Sequence, residues 1–245
     1  YQYNTDIRLK FIEKLLDISP KHFEKVVLLN SGSEATDAAY RLIKLWGKKK
    51  KKKYIVVFEG NYHGRVLGSD LLGGTSDSTS WSNIVDGDIH FLKFPKEGDE
   101  LNIDDLPPLD DIAAFFLETY QGWGSWFYPQ KYIDKLYQIS RENDILFCFD
   151  EVQSGFYRMG TLYGNAVCCA AGLANLDFLT DKDFQKDFQK RVQLFEKLNK
   201  QLEKEDGVET VNVRGMVSAI IVKDGKMGDY VIQYQVRLLL NLWVL

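Results

Sequence analysis

The sequence is poor in the residue types that mark a disulfide framework or a metal centre. Only three cysteines and three histidines occur among 245 residues: Cys148, Cys168, Cys169, His22, His63 and His90. Two of the cysteines are adjacent, which disfavours a disulfide between them, and the histidines lack the spacing of metal ligands. We therefore predict no metal site and a reducing, cytoplasmic setting.

Long apolar runs and a strong excess of one charge are also missing. No apolar stretch reaches the ~18 residues that a membrane span requires, and the formal net charge is only -4. We therefore expect neither a membrane nor nucleic acid as a partner. Six consecutive lysines occupy positions 48–53. Because no aromatic residues are interleaved with them, we interpret the run as a solvated connection.

What the sequence does contain is an alternation of helical patterns with short apolar runs. The apolar runs cover residues 26–30, 54–60, 113–119 and 145–151, and the helical patterns cover residues 7–17, 33–47 and 131–143. Continuous apolar runs of this length are typical of strands buried on both faces of a parallel sheet. The alternation predicts an α/β domain with a mainly parallel sheet flanked by helices.

The C-terminal part has a different pattern. An amphipathic helix is predicted over residues 182–206, followed by strands at 208–213 and 217–222. A helix followed by two strands indicates a smaller α+β domain. We predict a large domain over residues 1–164 and a small C-terminal domain over residues 165–245.

The segment NSGSEA, residues 30–35, joins the first apolar run to a helix. Gly32 permits close approach of a ligand to the backbone, and the hydroxyls of Ser31 and Ser33 stand beside the free amides of a helix N-terminus, which suit a phosphate group. An ordinary capping turn with Ser31 or Ser33 as the N-cap explains the same residues. The motif alone leaves both interpretations open.

Three further polar segments follow the other apolar runs. Tyr62 and His63 lie in EGNYHGR, and an aromatic ring there could stack on a flat cofactor or simply pack. Glu118 lies in LETYQGWG, and Asp150 begins DEVQSGFYR. A carboxylate at the end of an apolar strand is costly unless a cation pairs with it, and a protonated pyridine nitrogen is one such cation. A helix cap or an internal salt bridge is the alternative for Asp150.

The order NSGSEA, NYHGR, ETYQG and DEVQSGFYRMG resembles the class III aminotransferases, which are pyridoxal-phosphate-dependent enzymes of fold type I. The resemblance covers most of residues 5–165, and NAVCCAAGLANLDFL, residues 165–179, is similar to the beginning of the family's small domain. It implies the fold-type-I architecture, pyridoxal 5'-phosphate as cofactor and a homodimer or larger homo-oligomer. It also implies transfer of an amino group from an amino acid or amine donor to a 2-oxo acid.

The resemblance assigns roles to individual positions. Ser31, Gly32 and Ser33 match the phosphate loop, and Tyr62 matches the aromatic residue that stacks on the pyridine ring, with His63 as its neighbour. Asp150 matches the partner of the pyridine nitrogen, Gln153 the residue that reaches the ring hydroxyl, and Glu118 a carboxylate beside the ring near Gln153. Arg237 matches an arginine that grips a substrate carboxylate through a bidentate pair. Trp123 is implied on the substrate side, where many relatives have an acidic residue.

One departure from the family affects catalysis directly. The family continues after FYRMGTLYG through two strands to the lysine that forms a Schiff base with the cofactor, whereas here Gly164 is followed at once by NAVCC. No lysine occurs between Lys135 and Lys182. We interpret the junction as a missing segment, because loss of interior strands exposes sheet edges and leaves the core unfilled. A truncated, non-catalytic homologue is the alternative, and an amino-acid racemase or aminomutase is another outcome for the same cofactor.

Overall fold

The computed structural model describes residues 6–74, 84–155 and 179–223, and these form two compact units. The described residues before Lys182 belong to the first unit, except Trp123–Ser125. Those three residues join the part of the chain from Lys182 onward in the second unit. The predicted boundary between residues 164 and 165 lies outside the described residues and stays a prediction.

The described helices and strands follow the alternation expected from the sequence, except at residues 26–30 and at an additional short strand. The helices are α1 (Asp6–Ile18), α2 (Gly32–Lys50), α3 (Leu67–Leu71), α4 (Gln130–Glu142) and α5 (Lys182–Gln201). The strands are β1 (Tyr54–Phe58), β2 (Ile89–Leu92), β3 (Ile112–Glu118), β4 (Tyr120–Gln121), β5 (Trp126–Phe127), β6 (Leu146–Asp150), β7 (Val208–Arg214) and β8 (Val217–Val222). Short 3-10 helices cover Ile103–Asp105, Leu109–Asp111 and Leu202–Lys204.

A four-stranded parallel sheet is the centre of the first unit. Its order is β2-β1-β3-β6, and every pairing in it is parallel. All seven residues of β3 are buried. Alternate side chains contribute to two hydrophobic clusters: Phe115 and Leu117 pack with Leu136 of α4, whereas Ala114 and Phe116 pack with Ile43 of α2. Helices therefore cover both faces of the sheet, as the continuous apolar runs predicted.

The strand predicted at residues 26–30 is not formed. These residues have no regular secondary structure, although Val26 and Leu28 pack against Phe11 and Leu15 of α1. A strand is defined by hydrogen bonds to a neighbouring strand, and in the described residues nothing pairs with this segment. The apolar composition therefore indicated the partial burial of two side chains, but a hydrogen-bonded strand did not form. Strand β2, by contrast, was not predicted, because its four residues are too short to show a pattern.

The lysine run is partly built into the fold. Helix α2 continues to Lys50, and Lys51 closes it in the left-handed conformation. Lys50 Nζ lies 2.8 Å from an Asp144 carboxylate oxygen, and Lys52 Nζ donates to the Asn143 carbonyl at 2.9 Å. These contacts fasten the end of α2 to the end of α4, which supports a structural role for two of the six lysines.

The second unit consists of α5 and the antiparallel hairpin of β7 and β8. Glu196 of α5 accepts a hydrogen bond from the Gly215 amide at 2.6 Å, and Lys200 donates to the Val211 carbonyl at 3.2 Å. Asn212 of β7 donates to the Gly124 carbonyl at 2.6 Å, so strand β7 holds the loop Trp123–Ser125. Within the residues that the structure describes, no helix combines the length and apolar character needed to cross a membrane.

Candidate functional site

Segments that follow the parallel strands, together with the N-terminus of α2, surround a cavity of about 190 Å³ in the first unit. The residues that line it are Ser31, Gly32, Ser33, Tyr62, His63, Gly64, Glu118, Tyr120, Asp150, Val152, Gln153 and Ser154. Carboxyl ends of parallel strands meet at one edge of a sheet, which explains why residues more than 100 positions apart come together. The structure thus brings eight predicted site residues around one cavity, although their roles stay predictions.

The N-terminus of α2 forms one end of the cavity. Ser31 is the N-cap, and its hydroxyl accepts a hydrogen bond from the Glu34 amide at 3.2 Å. Glu34 in turn accepts from the amide of Asn30, the residue before the N-cap, at 2.8 Å, so its side chain folds back over the start of the helix much as in a capping box. The two interpretations of NSGSEA are therefore compatible, because the same turn caps the helix and directs its positive end toward the cavity.

Substitutions at Ser31 separate its structural role from anion binding. We expect Ser31→Ala to lower the free energy of unfolding by about 1 kcal/mol, because the Glu34 amide loses its acceptor. Ser31→Asp keeps an N-cap acceptor and is expected to preserve stability, yet its negative charge should weaken binding of inorganic phosphate. Urea unfolding and a phosphate titration measure the two effects. Equal phosphate affinity in all three proteins would contradict an anion site at this turn.

Asp150 lies at the end of a chain of buried hydrogen bonds. Its Oδ2 is 2.8 Å from His63 Nδ1, and its Oδ1 accepts from the Val152 amide at 3.0 Å. The Asn61 side-chain amide lies 3.4 Å from His63 Nε2, and Gln121 donates to Asn61 Oδ1 at 3.0 Å. Because Asn61 donates to Nε2, His63 carries its proton on Nδ1 and donates it to Asp150.

The ring of His63 is also fixed by packing. Its side chain is fully buried, and its centroid lies 4.8 Å from the Phe116 ring in an edge-on arrangement. The His63 carbonyl accepts a hydrogen bond from the Thr36 hydroxyl of α2 at 2.6 Å. This histidine is therefore held on three sides, and it holds the Asp150 carboxylate in a single orientation facing the cavity.

Glu118 stands next to Asp150 because the two residues are register partners at the ends of β3 and β6. Its carboxyl group accepts from the amides of Tyr62 at 3.1 Å and Gly122 at 3.3 Å. Burial raises the pKa of Glu118, and together with the smaller effect of the Asp150 charge it brings this pKa to about 8 against the opposing effect of the two backbone hydrogen bonds. Two adjacent carboxyl groups thus have different environments. Glu118 keeps its proton to a higher pH than an ordinary glutamate, while Asp150 is hydrogen-bonded to a histidine.

The raised pKa of Glu118 predicts a pH-dependent stability. The native state keeps a proton that the unfolded chain has lost between the ordinary pKa of 4.5 and about 8. The free energy of unfolding should therefore fall by up to about 1.4 kcal/mol per pH unit as the pH rises through this window. Glu118→Gln should flatten the dependence, since glutamine has no proton to lose.

Urea unfolding at several pH values between 5 and 8 measures this slope. Glu205→Gln is the matched control, because Glu205 is exposed in the second unit and its variant should keep the parent slope. An unchanged slope in Glu118→Gln would show that another group is responsible for the pH dependence.

The cavity has an aromatic ring and an amide among its walls. The Tyr62 residue is 47% exposed, and the Arg65 guanidinium lies over its ring at 5.4 Å from the centroid. Gln153 was expected near Glu118, and the Tyr120 hydroxyl donates a hydrogen bond to Gln153 Oε1 at 3.4 Å. Tyr62 therefore presents ring surface to the cavity, and Gln153 is oriented by Tyr120.

The roles of the two predicted substrate residues, Trp123 and Arg237, stay predictions. Trp123 belongs to the second unit and is 67% exposed. Arg237 lies outside the described residues. Asn61 and Gln121 were not predicted, although both lie inside the motifs NYHGR and ETYQG. The sequence pattern identified Tyr62, His63 and Glu118 in these motifs instead. The hydrogen bond between the buried amides of Asn61 and Gln121 can be seen only in the folded structure.

The fold is that of solved transaminases. A solved structure described as a transaminase with L-alanine superposes with a TM-score of 0.80 at 21% identity, over 93% of this chain and 72% of that one. The adenosylmethionine-8-amino-7-oxononanoate aminotransferase of Methanocaldococcus jannaschii superposes with a TM-score of 0.77 at 21% identity, over 92% of this chain and 67% of that one. At these identities the likeness shows the fold.

Sequence comparison identifies the family. The family described as Aminotransferase class-III matches residues 2–164, and the chain belongs to it. The mitochondrial acetylornithine aminotransferase of Candida glabrata is 33% identical over 166 residues, which cover 66% of this chain and 39% of the relative. The ornithine aminotransferase of Plasmodium yoelii yoelii is 32% identical over 152 residues, 57% of this chain and 34% of the relative. The matched part thus spans less than half the length of these relatives.

Proposed function

We propose that this chain is part of a pyridoxal-phosphate-dependent aminotransferase that moves an amino group from an amino acid or amine to a 2-oxo acid. The observation that carries the proposal is the Asp150 carboxylate, fixed by His63 at 2.8 Å and directed into a cavity that begins at a helix N-terminus. Family membership and the fold support the same reaction class.

The residues around the cavity fit this cofactor. The capped turn Ser31–Gly32–Ser33 at the positive end of α2 would hold the phosphate. Tyr62 would cover one face of the pyridine ring, and Asp150 would pair with the ring nitrogen. Gln153, oriented by Tyr120, would lie near the ring hydroxyl. Each part of the cofactor therefore meets a group of suitable chemistry.

The chemistry follows from how these groups are held. When bound, pyridoxal phosphate supplies a ring that takes up the electron pair left on the substrate carbon. Asp150 would keep a proton on the ring nitrogen, and the hydrogen bond from His63 would prevent the carboxylate from turning away. Glu118, with its raised pKa, would stand beside the ring without adding a second full negative charge. Arg237 and Trp123 are proposed for the substrate side, with Arg237 binding a carboxylate.

The amine that would bind the cofactor covalently is not supplied by residues 136–181, which contain no lysine. The proposal therefore requires a lysine from a segment outside these 245 residues. If no such segment exists, we expect the protein to be a homologue that binds the cofactor in this cavity without turnover. The two possibilities differ in mass and in covalent chemistry.

An intact-mass measurement tests the proposal on the protein isolated in its native form. The protein is incubated with pyridoxal phosphate, reduced with borohydride and digested to locate any pyridoxyl group. We expect a mass above 28.3 kDa and one pyridoxyl group on a single lysine. A mass of 28.3 kDa with no specifically modified lysine would contradict the enzyme and leave the non-catalytic homologue.

We also propose a homodimer in the cytoplasm. The dimer is supported by the family resemblance, and the reducing setting is supported by the low cysteine content and by Cys148, whose thiol is free in the structure. Light scattering of the native protein measures the assembly, and a monomer at micromolar concentration would contradict the dimer.

A further inference from the structure

Two buried side-chain amides lie behind the histidine that holds Asp150. Asn61, in the segment after β1, has no exposed surface, and Gln121, at the end of β4, is only 2% exposed. Neither lines the cavity proposed for pyridoxal phosphate, which we call the cofactor cavity. Burial of an amide is costly unless its polar atoms have partners, so the contacts of these two side chains need a physical explanation.

The polarity of these contacts is set by a backbone carbonyl. Gln121 Nε2 donates a hydrogen bond to the Glu59 carbonyl at 2.5 Å. Because a carbonyl can only accept, the NH2 group of Gln121 must face it. The same NH2 group donates to Asn61 Oδ1 at 3.0 Å. The NH2 group of Asn61 is thereby directed to His63 Nε2, at 3.4 Å. The orientation of both amides therefore follows from one unambiguous acceptor.

The orientation of Asn61 is fixed by further contacts. The Tyr128 hydroxyl is a second donor to Asn61 Oδ1, at 3.4 Å, and burial raises the pKa of Tyr128 well above its ordinary value, so this hydroxyl keeps its proton. Turning the amide over would place its NH2 group against two donors. The backbone of Asn61 is held as well, since its amide donates to the Phe58 carbonyl at 3.2 Å and its carbonyl accepts from the Gly74 amide at 2.9 Å.

The consequence concerns the second ring nitrogen of His63. A buried carboxylate 2.8 Å from Nδ1 ordinarily favours a doubly protonated, cationic ring. A proton on Nε2 would point at the NH2 group of Asn61 and leave that buried donor without an acceptor, which carries the full desolvation penalty of the group. The ring is therefore a neutral donor, and the Asp150 carboxylate that it contacts keeps its whole negative charge.

The other groups around the ring of His63 do not replace this effect. Phe116 of β3 and Thr36 of α2 contact the histidine and carry no charge. Asp150 approaches from the end of β6, and Glu118 stands beside it at the end of β3. The pKa of Glu118 is raised to about 8, chiefly by burial, so this carboxyl group adds little negative charge at pH 7. Asp150 is thus the main charge that the ring meets.

We infer that Gln121 and Asn61 form an amide relay that keeps His63 Nε2 free of a proton. Asp150 then presents an undivided negative charge to the ring nitrogen of the cofactor, whereas a cationic histidine would compete for the same carboxylate. The inference rests on the proposed function for this purpose, but the relay itself stands on geometry. Both amides are positioning residues, because they act on the cofactor cavity only through His63.

Nitrogen-15 NMR of the histidine-labelled chain without cofactor, at pH 7, tests the relay. The chain has three histidines, so His22→Gln and His90→Gln assign the signals of His63 by elimination. We expect two widely separated ring signals for His63, one from a protonated Nδ1 and one from an unprotonated Nε2. Two similar signals, which a doubly protonated ring gives, would overturn the inference, and so would a proton on Nε2 alone.

Asn61→Asp reverses the polarity at the end of the relay with almost no change in shape. The new carboxylate would accept from Nε2, so the ring of His63 should gain a second proton and its two nitrogen signals should move together. Unmoved signals in the folded variant would overturn the inference. If the variant does not fold, the spectrum of the unaltered chain decides.

Asn199→Asp is the matched control for this variant. Asn199 is also buried, and its side-chain amide donates to the Phe195 carbonyl at 2.9 Å in the second unit. Its replacement should lower stability, because a carboxylate would face a carbonyl, without moving the signals of His63. Signals that moved equally in both variants would overturn the inference, because they would report a general loss of structure.

Titration with pyridoxal phosphate separates the relay from the proposed function. We expect Asn61→Asp to bind the cofactor about tenfold more weakly than the unaltered chain, because the cationic histidine would draw on the Asp150 carboxylate. Equal affinities, with the His63 signals changed, would overturn the role of the relay toward the cofactor. If the unaltered chain bound no pyridoxal phosphate while its His63 spectrum was as expected, the relay would stand and the proposed function would fail.

Discussion

Replacing Asp150 by asparagine is expected to lower the affinity for pyridoxal phosphate by about a hundredfold, which corresponds to about 2.7 kcal/mol. The carboxylate is the group that would carry negative charge to the ring nitrogen, and charge-assisted hydrogen bonds are about twice as strong as neutral ones. Asparagine has nearly the same shape, so the loss would arise from charge and from hydrogen-bond polarity. Spectroscopic titration of the cofactor measures the change.

The hydrogen bonds around Asp150 explain why the amide is a poor replacement. The carboxylate accepts from His63 with one oxygen and from the Val152 amide with the other. An asparagine has only one acceptor oxygen, so its NH2 group must face one of these two donors. We therefore expect a loss of stability of about 1–3 kcal/mol in addition to the weaker cofactor binding.

Asp144→Asn is the control for this variant. Asp144 also pairs with a basic residue, Lys50, but its side chain is 64% exposed. It lies just before the start of β6, whereas Asp150 lies at the end of that strand. The control should change stability by less than about 1 kcal/mol and leave cofactor affinity unchanged. Unchanged affinity in Asp150→Asn would remove Asp150 from the cofactor site and leave it as a structural partner of His63.

Three of the four central strands could be predicted from the sequence because each is a continuous apolar run, although only β3 is buried along its whole length and β6 is partly exposed. Ala114 and Phe116 contact one layer of helices, and Phe115 contacts the other, so positions in the middle of this strand are apolar on both faces. The same composition misled the prediction at residues 26–30. Apolar residues indicate that a segment will be covered, but a strand also needs a neighbour with free hydrogen-bonding groups, and composition carries no information about that neighbour.

The site could be predicted as a set of residues but not as a network. Parallel strands bring their carboxyl ends to one edge, which explains why Glu118 and Asp150 lie together. Their different environments could not be foreseen. The raised pKa of Glu118 depends on burial, and the orientation of Asp150 depends on His63 and, behind it, Asn61. Such contacts join loops that are distant in sequence and follow no short-range pattern.

The tightest backbone contact among the cavity-lining glycines is at Gly64, and Gly64→Ala is expected to have a large effect on both stability and binding. Gly64 has a φ of +120°, and a Cβ added there would meet Ser33, including its Cα at 2.8 Å. Ser33 belongs to the first turn of α2, so the strain cannot be relieved by rotation of a flexible side chain. We expect the free energy of unfolding to fall by about 3 kcal/mol or more, from backbone strain and overpacking together.

The displacement of the loop around Gly64 should also widen the cofactor cavity at the N-terminus of α2, where the phosphate is proposed to bind. Tyr62 and His63 precede Gly64 directly, and moving this loop away from Ser33 would separate the ring-stacking residue from the helix N-terminus. Gly98→Ala is a matched control, because Gly98 also has a positive φ, +91°, but an added Cβ would meet nothing within 4 Å. The control should show only the backbone strain, about 1 kcal/mol, and normal cofactor affinity. If the two variants lost equal stability and both retained cofactor affinity, the close contact of Gly64 with Ser33 would not be needed to hold the Tyr62 loop against the N-terminus of α2.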